Sequence, residues 1–222
     1  MRRVWREAGV VRKLPEGGPK VLWRAEVAHG YSGPAVADGR VYLMDYAIED
    51  GKIINNAGAQ VKLTGQERVH CFDATNGKPL WSHSRNRAYE VSYPGGPRAT
   101  PTVDGGQVFA LGAMGHLRCL TVDGDLQWEK DFGVDYGARV PMWGHSAAPL
   151  VFKDLVICMV GGPGSLVVAF DRKSGKEKWR ALDAGHCGYC PPQIIEHAGR
   201  ELLVTWHPNG VSGHNPETGE VY

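Results

Sequence analysis

Three stretches of this chain run through a glycine-bearing turn into a tryptophan, and a fourth begins to do so. They are Asp73-Ala74-Thr75-Asn76-Gly77-Lys78-Pro79-Leu80-Trp81, Thr121-Val122-Asp123-Gly124-Asp125-Leu126-Gln127-Trp128 and Asp171-Arg172-Lys173-Ser174-Gly175-Lys176-Glu177-Lys178-Trp179. The fourth is Asn215-Pro216-Glu217-Thr218-Gly219-Glu220-Val221-Tyr222, whose tryptophan would fall one residue past the last position. Trp23, in Val21-Leu22-Trp23-Arg24, has no such turn before it. Tryptophans at 23, 81, 128 and 179 recur every fifty residues or so, which predicts a fold assembled from stacked repeats, each burying an apolar face that it cannot bury alone.

Within each repeat the pattern predicts strands. Pro34-Ala35-Val36-Ala37-Asp38-Gly39-Arg40-Val41-Tyr42 and Pro101-Thr102-Val103-Asp104-Gly105-Gly106-Gln107-Val108-Phe109 correspond residue for residue. The stretches from Pro149 and Pro192 repeat the theme with Lys153-Asp154 and a longer Glu196-His197-Ala198-Gly199 turn. Apolar and β-branched residues around Asp-Gly or Gly-Gly predict tight hairpins. Val69-His70-Cys71-Phe72, Leu117-Arg118-Cys119-Leu120, Leu166-Val167-Val168-Ala169-Phe170 and Gly210-Val211-Ser212-Gly213 supply a third strand, and the tryptophan-bearing strand a fourth. The expected fold is therefore all-β: a β-propeller of four-stranded antiparallel blades, about four of them present, roughly half of a seven- or eight-bladed ring. Residues 1–222 read as one domain, with blade units at about 24–81, 96–128, 144–179 and 189–222. Residues 1–23 form an entry segment and the closing strand of a preceding blade. Extra length from Ala47 to Gln66 predicts an elaborated hairpin or loop between the second and third strands of the first blade.

The pairing of Pro-x-Val-x-x-Gly-x-Val-Tyr with Asp-x-x-(Thr/Ser)-Gly-x-x-x-Trp resembles the repeat of pyrroloquinoline-quinone-type β-propellers, the quinoprotein alcohol dehydrogenase-like superfamily, over roughly residues 20–222. That family holds quinoprotein dehydrogenases, a barrel-assembly lipoprotein scaffold of the bacterial outer membrane and many exported bacterial propellers, and the chain is most similar to the last group. The resemblance implies that Gly77 and Trp81, Gly124 and Trp128, and Gly175 and Trp179 dock neighbouring blades. It also implies a periplasmic or exported setting. Taken alone, the sequence has no signal peptide and no apolar run long enough to span a bilayer, so a natural start at Met1 would make the protein cytoplasmic.

Charge excludes some functions. A formal net charge of +1 offers no concentrated basic surface for nucleic acid or anionic membranes. The basic residues of the first 24 positions are dispersed among Val, Leu, Trp and Pro and read as a solvated entry segment. There is no Gly-x-Ser-x-Gly elbow, and Gly161-Gly162-Pro163-Gly164-Ser165 lacks the lysine and following helix of a phosphate-binding loop. Nor is there the adjacent cysteine pair that quinoprotein dehydrogenases share. The nearest feature is Cys187-Gly188-Tyr189-Cys190, a weak metal or redox candidate that would need two more ligands from His186, His197 or His207. Cys71, Cys119 and Cys158 read as small core fillers.

Three residues before each opening proline stand Tyr31, Arg98, Ser146 (with His145 beside it) and Tyr189. In a propeller this segment joins one blade to the next, so these side chains are expected around one mouth of the central channel. There they would either hold a small ligand or peptide or simply solvate a rim and pin the connections. Trp143 is either a further ring member or a core aromatic. The expected function is a non-catalytic binding or scaffold propeller of the bacterial envelope, with no cofactor, a protein or small-molecule partner, and self-association as a means of completing the ring. The alternatives are a quinoprotein dehydrogenase with pyrroloquinoline quinone and calcium, and an incomplete fragment without a function of its own.

Overall fold

The structure, a computed structural model, describes residues 11–222. Four antiparallel sheets follow one another along the chain. The first is β1 (Ala35–Ala37), β2 (Arg40–Asp50), β3 (Val61–Asp73) and β4 (Pro79–Val91); the second is β5 (Thr102–Asp104), β6 (Gln107–Leu111), β7 (His116–Thr121) and β8 (Leu126–Asp131). The third is β9 (Leu150–Phe152), β10 (Leu155–Gly162), β11 (Ser165–Asp171) and β12 (Glu177–Ala181); the fourth is β13 (Gln193–His197), β14 (Arg200–His207) and β15 (Gly210–His214). Each pairs only with its sequence neighbours, and the short first strands β1, β5 and β9 lie side by side. This is a partial β-propeller of four blades.

The fourth blade has three full strands, not four. Its fourth strand is present only as a bridge between His214 and Val221, with the Tyr222 amide donating to the Gly213 carbonyl at 3.0 Å. Val21-Leu22-Trp23-Arg24, expected as the closing strand of a preceding blade, carries no strand. A short helix that the repeat does not announce, α1 (Phe132–Tyr136), follows β8. Asp131 caps its first turn by accepting from the Gly133 and Val134 amides, and Gly137 ends it at φ 63°. Its purpose is packing, since Phe132 is fully buried and stacks 6.4 Å from Phe170.

The stretched first repeat is built from paired strands. β2 and β3 stay in register from Arg40↔Asp73 to Ile48↔Gly65, and β4 is lengthened to match, pairing Val61↔Val91 at its far end. The extension therefore belongs to three strands, with only residues 51–60 left as a connection.

Side chains alternate across each sheet, so every interior blade presents an apolar face to each neighbour. Tyr42, Met44, Val69 and Cys71 of the first blade meet Val103, Val108, Ala110 and Leu120 of the second. Phe109, Leu111, Leu117 and Cys119 meet Val156, Cys158, Val168 and Phe170 of the third. Ile157, Met159, Val167 and Trp179 meet Leu203 and Ile194 of the fourth.

A seam of fixed chemistry accompanies each contact. Trp81 lies on Gly124 and donates its Nε1–H to the Val122 carbonyl at 2.8 Å, and Trp128 lies on Gly175 and donates to Arg172 at 3.0 Å. Trp179 lies on Gly219 and donates to Pro216 at 3.2 Å, and Trp23 lies on Gly77 and donates to Ala74 at 2.9 Å. Each indole thus reaches forward to the turn of the following repeat. A flat ring on a residue without a side chain lets the sheets approach closely, while the turn carbonyl satisfies the one polar atom that would otherwise be buried unpaired.

Candidate functional site

The connections between blades gather at one end of the molecule, and two short hydrogen-bonded links hold them together. The Tyr31 amide donates to the Pro97 carbonyl at 2.8 Å, and the Ser92 amide to the Met142 carbonyl at 2.8 Å. Arg98 fixes its own loop: its guanidinium donates to the Ser92 carbonyl at 3.0 Å and also to the Tyr93 and Gly96 carbonyls. Its Cζ stands 5.3 Å from the centre of the Tyr31 ring. On the third-blade side the Ser146 hydroxyl donates to the Tyr189 carbonyl at 3.1 Å, and the Tyr189 ring lies 5.3 Å from Trp143 and 6.0 Å from His186.

Tyr31, Arg98, Ser146 and Tyr189 therefore fall on one arc, which Trp143 joins. Half of the Tyr31 surface and 45% of that of Trp143 is open to solvent, and Tyr93 and Met142 are exposed beside them. Burial lowers the pKa of Arg98, opposed by the neighbouring Tyr89, Tyr31 and Tyr189, and burial raises that of Tyr189. Among the described residues no carboxylate pairs with Arg98, so the arc carries a cation answered only by carbonyl dipoles and ring faces.

His145 lies elsewhere. It is buried, edge-on to Phe132 at 5.6 Å, with its Nδ1 3.4 Å from the Cys187 thiol. Burial pulls it down to about 4 and pushes Cys187 up to about 12, so both are neutral near pH 7 and neither is poised as base or nucleophile. Cys187 and Cys190 are not joined in a disulfide. The histidines nearest in sequence are engaged separately: His186 accepts from the Gly188 amide, His207 shares a hydrogen bond with Ser212 at 2.9 Å, and His197 is exposed on β13. Among the described residues no three His, Cys, Asp or Glu side chains are placed to hold a metal ion.

The second polar centre is one that spacing does not reveal. Arg118, flanked in sequence by Leu117 and Cys119, is fully buried and donates to the Glu67 carboxylate of the first blade at 2.9 Å, and the Tyr89 hydroxyl donates to the same carboxylate at 2.5 Å. An arginine in the middle of an apolar strand was the available signal, because a buried guanidinium requires a partner. The charges balance within the pair, which fits a structural tie between blades better than a binding site. Asp45 is similar: burial would raise it, but His70, the Arg68 guanidinium at 2.6 and 2.8 Å and the Ala28 amide hold it well below the usual carboxylate range.

A quinone with calcium needs cations for its carboxylates and a ring of oxygens for the ion. The innermost strands carry Ala35-Val36-Ala37, Thr102-Val103-Asp104, Leu150-Val151-Phe152 and Gln193-Ile194-Ile195-Glu196-His197. Of their two carboxylates, Asp104 is paired with Arg172 at 2.8 Å and Glu196 is exposed. None of these strands carries a lysine or arginine to meet the carboxylates of the quinone.

The sequence matches the profile of the family described as outer membrane protein assembly factor BamB, over residues 7–184 and again over 65–222. No protein of curated function matches it. Among solved structures it is similar to the quinohemoprotein alcohol dehydrogenase ADHIIG from Pseudomonas putida HK5, at 18% identity and a TM-score of 0.56, covering 91% of this chain and 35% of that one. A europium-containing methanol dehydrogenase aligns at 14% identity and a TM-score of 0.52 over 88% of this chain and 50% of its own. BamB from Moraxella catarrhalis aligns at 16% identity and a TM-score of 0.48 over 90% and 65%. The chain thus spans between a third and two thirds of these proteins, and at such identities the likeness is one of fold.

Proposed function

The chain belongs to the outer membrane protein assembly factor BamB family, within the quinoprotein-type β-propellers, and from that premise we propose that it is a non-catalytic propeller of the bacterial envelope that binds a protein partner through its mouth. The observation that carries this reading is the set of Tyr31, Arg98, Trp143 and Tyr189: an exposed Tyr31 ring on a cation without a carboxylate, and an exposed Trp143 against the half-buried Tyr189. Tyrosine, tryptophan, methionine and arginine are the residues that interface cores favour, because they offer large rigid contact area at little entropic cost. Arg98 is held by three backbone carbonyls, so the surface is organised before any partner arrives. Catalysis is disfavoured by the side chains themselves: His145 and Cys187 are buried and neutral, and the inner strands carry no lysine or arginine for the carboxylates of a quinone.

The test is a cross-linking capture from a bacterial envelope extract with the wild-type chain and with Trp143→Ala and Tyr31→Ala, both exposed enough to leave the fold intact. The reading predicts a partner recovered by the wild type and reduced at least tenfold with either variant. A partner retained by both variants, or dye-linked alcohol oxidation on adding the quinone and calcium, would refute it.

A further inference from the structure

The seam between the first and second blades differs from the two that follow it. Those meet in apolar side chains, Leu117 and Cys119 against Val168 and Phe170, then Met159 and Val167 against Leu203. In the first seam the apolar contact of Val69 and Cys71 with Leu120 gives way to an ionic belt. Glu67 of β3 accepts from Arg118 of β7 and from Tyr89 of β4. Arg85 of β4 donates to Glu129 of β8 at 2.5 Å, and Arg87 of β4 lies against His116 of β7.

Two histidines sit in this belt, each facing an arginine across the seam. His83 Nδ1 is 3.4 Å from Nη1 of Arg118, and His116 Nε2 meets Nη2 of Arg87. A guanidinium keeps its protons and can only donate, so both ring nitrogens accept and both rings are neutral. His116 then carries its proton on Nδ1, 3.3 Å from the Asp131 carboxylate of β8. A second proton on either ring turns an acceptor into a donor aimed at a cation. Spare acceptors are lacking: among the described residues the Nε groups of Arg85, Arg87 and Arg118 are already buried without partners. Burial, Arg118 and Arg85 hold His83 below its ordinary value against the pull of Glu129; burial and Arg87 do the same to His116 against Asp131, Glu67 and Glu129. The remaining titratable groups nearby are engaged elsewhere. The Tyr46 hydroxyl donates to the Arg87 carbonyl at 2.6 Å, and Asp135 of α1 accepts from the Asp131 amide at 3.0 Å. His145 lies against Gly115 ahead of β7 but faces Phe132 and Cys187.

We propose that the belt is a proton-operated latch, which holds the first blade on the second while His83 and His116 are neutral and releases that seam ahead of the others when they are protonated. In the closed seam each ring resists a proton, whereas in the open one it recovers the ordinary histidine value of about 6.5. The open form therefore takes up protons first, and the closed form loses stability as pH falls below about 6.5. At neutral pH the carboxylates of Glu67, Glu129 and Asp131 balance the guanidiniums of Arg85, Arg87 and Arg118. Two further protons leave an excess of positive charge where Glu67, His116 and Arg118 are shut off from water. The apolar second and third seams have no such dependence. The latch draws only on contacts between two consecutive blades and is independent of binding at the blade connections.

Deuterium exchange of the indole Nε1 hydrogens, followed by NMR, reads the three seams separately. Trp81 reports the first, Trp128 the second and Trp179 the third. Comparing them within one sample, at about pH 7.5 and about pH 5.5, cancels the pH dependence of the exchange chemistry. Trp81 should speed up at least about tenfold relative to the other two at the lower pH, the effect of a one-unit pKa difference on a proton-linked equilibrium. The relative rise should vanish in a His83→Gln, His116→Gln double variant, in which each glutamine retains an acceptor oxygen, and persist in His145→Gln. If the double variant does not fold, NMR titration of the two rings in the wild type decides, since their midpoints must coincide with that of the Trp81 change. An unchanged ratio, equal acceleration of all three indoles, a selective rise that survives the double variant, or midpoints that do not coincide would each overturn the proposal.

Discussion

Gly175→Ala isolates the seam that holds the second and third blades together. Gly175 sits at φ +68°, and a Cβ added there would lie 2.7 Å from Cδ2 of Trp128 and 2.8 Å from Cε3. Two costs result. The left-handed backbone charges any L-side chain about 1 to 2 kcal/mol. The indole must also retreat by nearly an ångström to reach ordinary contact distance, and it is confined: its Nε1–H is 3.0 Å from the Arg172 carbonyl, with Phe109 and Phe170 on either side at 6.0 and 6.4 Å. Losing that hydrogen bond costs about 1 kcal/mol, and forcing atoms into a filled core about 1 to 3 kcal/mol. The total is about 3 to 6 kcal/mol. Gly164→Ala in the same blade is the control, because Gly164 has φ +60° and nothing within 4 Å of the new methyl, so only the backbone cost applies. Urea unfolding would show Gly175→Ala about 2 kcal/mol or more worse than Gly164→Ala, and the excess would vanish in a Trp128→Ala background, where no ring remains to clash. Equal losses at the two glycines, or an excess that persists without the indole, would refute the reasoning.

Other expectations concern the cores and the buried charges. Trp128→Ala should cost about 3 to 5 kcal/mol by urea unfolding, the range for removing a packed aromatic, and a loss below about 1 kcal/mol would mean the ring is not docked. Glu67→Ala should destabilise by about 3 to 5 kcal/mol because it strands Arg118 without its partner, while Glu67→Leu with Arg118→Met should recover most of that; a harmless single substitution would place the pair in solvent. His145 is held near 4 in the folded chain against about 6.5 unfolded, so the unfolded chain takes up a proton first and stability falls as pH drops from about 7 toward 4. The expected loss is about 3 kcal/mol, with His83, His116 and His214 shifted in the same direction. Denaturation midpoints measured across that range should flatten in His145→Gln, and an unchanged slope would contradict its burial.

The architecture was legible because its signals are local and repeated. A turn glycine and a tryptophan four residues apart announce themselves in three copies, and Asp-Gly and Gly-Gly hairpins in the first two; Asp38-Gly39 and Gly105-Gly106 adopt the positive φ pairs those residues favour. What crosses between repeats was harder to read. The elongation of the first blade shows as surplus residues between two strands, yet β4 answers it forty residues later, and cross-strand register leaves little trace in sequence. The helix α1 is too short for an apolar period, although Asp131 and Gly137 stand at its two ends. His145 and Ser146 are adjacent, so the backbone sends one inward and the other to the Tyr189 carbonyl, a division that alignment of repeats cannot make. Arg118 paired with Glu67 depends on which blades meet.

The account rests on indoles locked between successive blades, and exchange of their Nε1 hydrogens with deuterium, followed by NMR, measures that directly. Trp23, Trp81, Trp128 and Trp179 donate to turn carbonyls at the seams, whereas the Trp143 ring is 45% exposed. Four protected indole signals with Trp143 exchanging rapidly is the expected result. Exchange of the four at the rate of Trp143 would mean that the blades are not held together in this way.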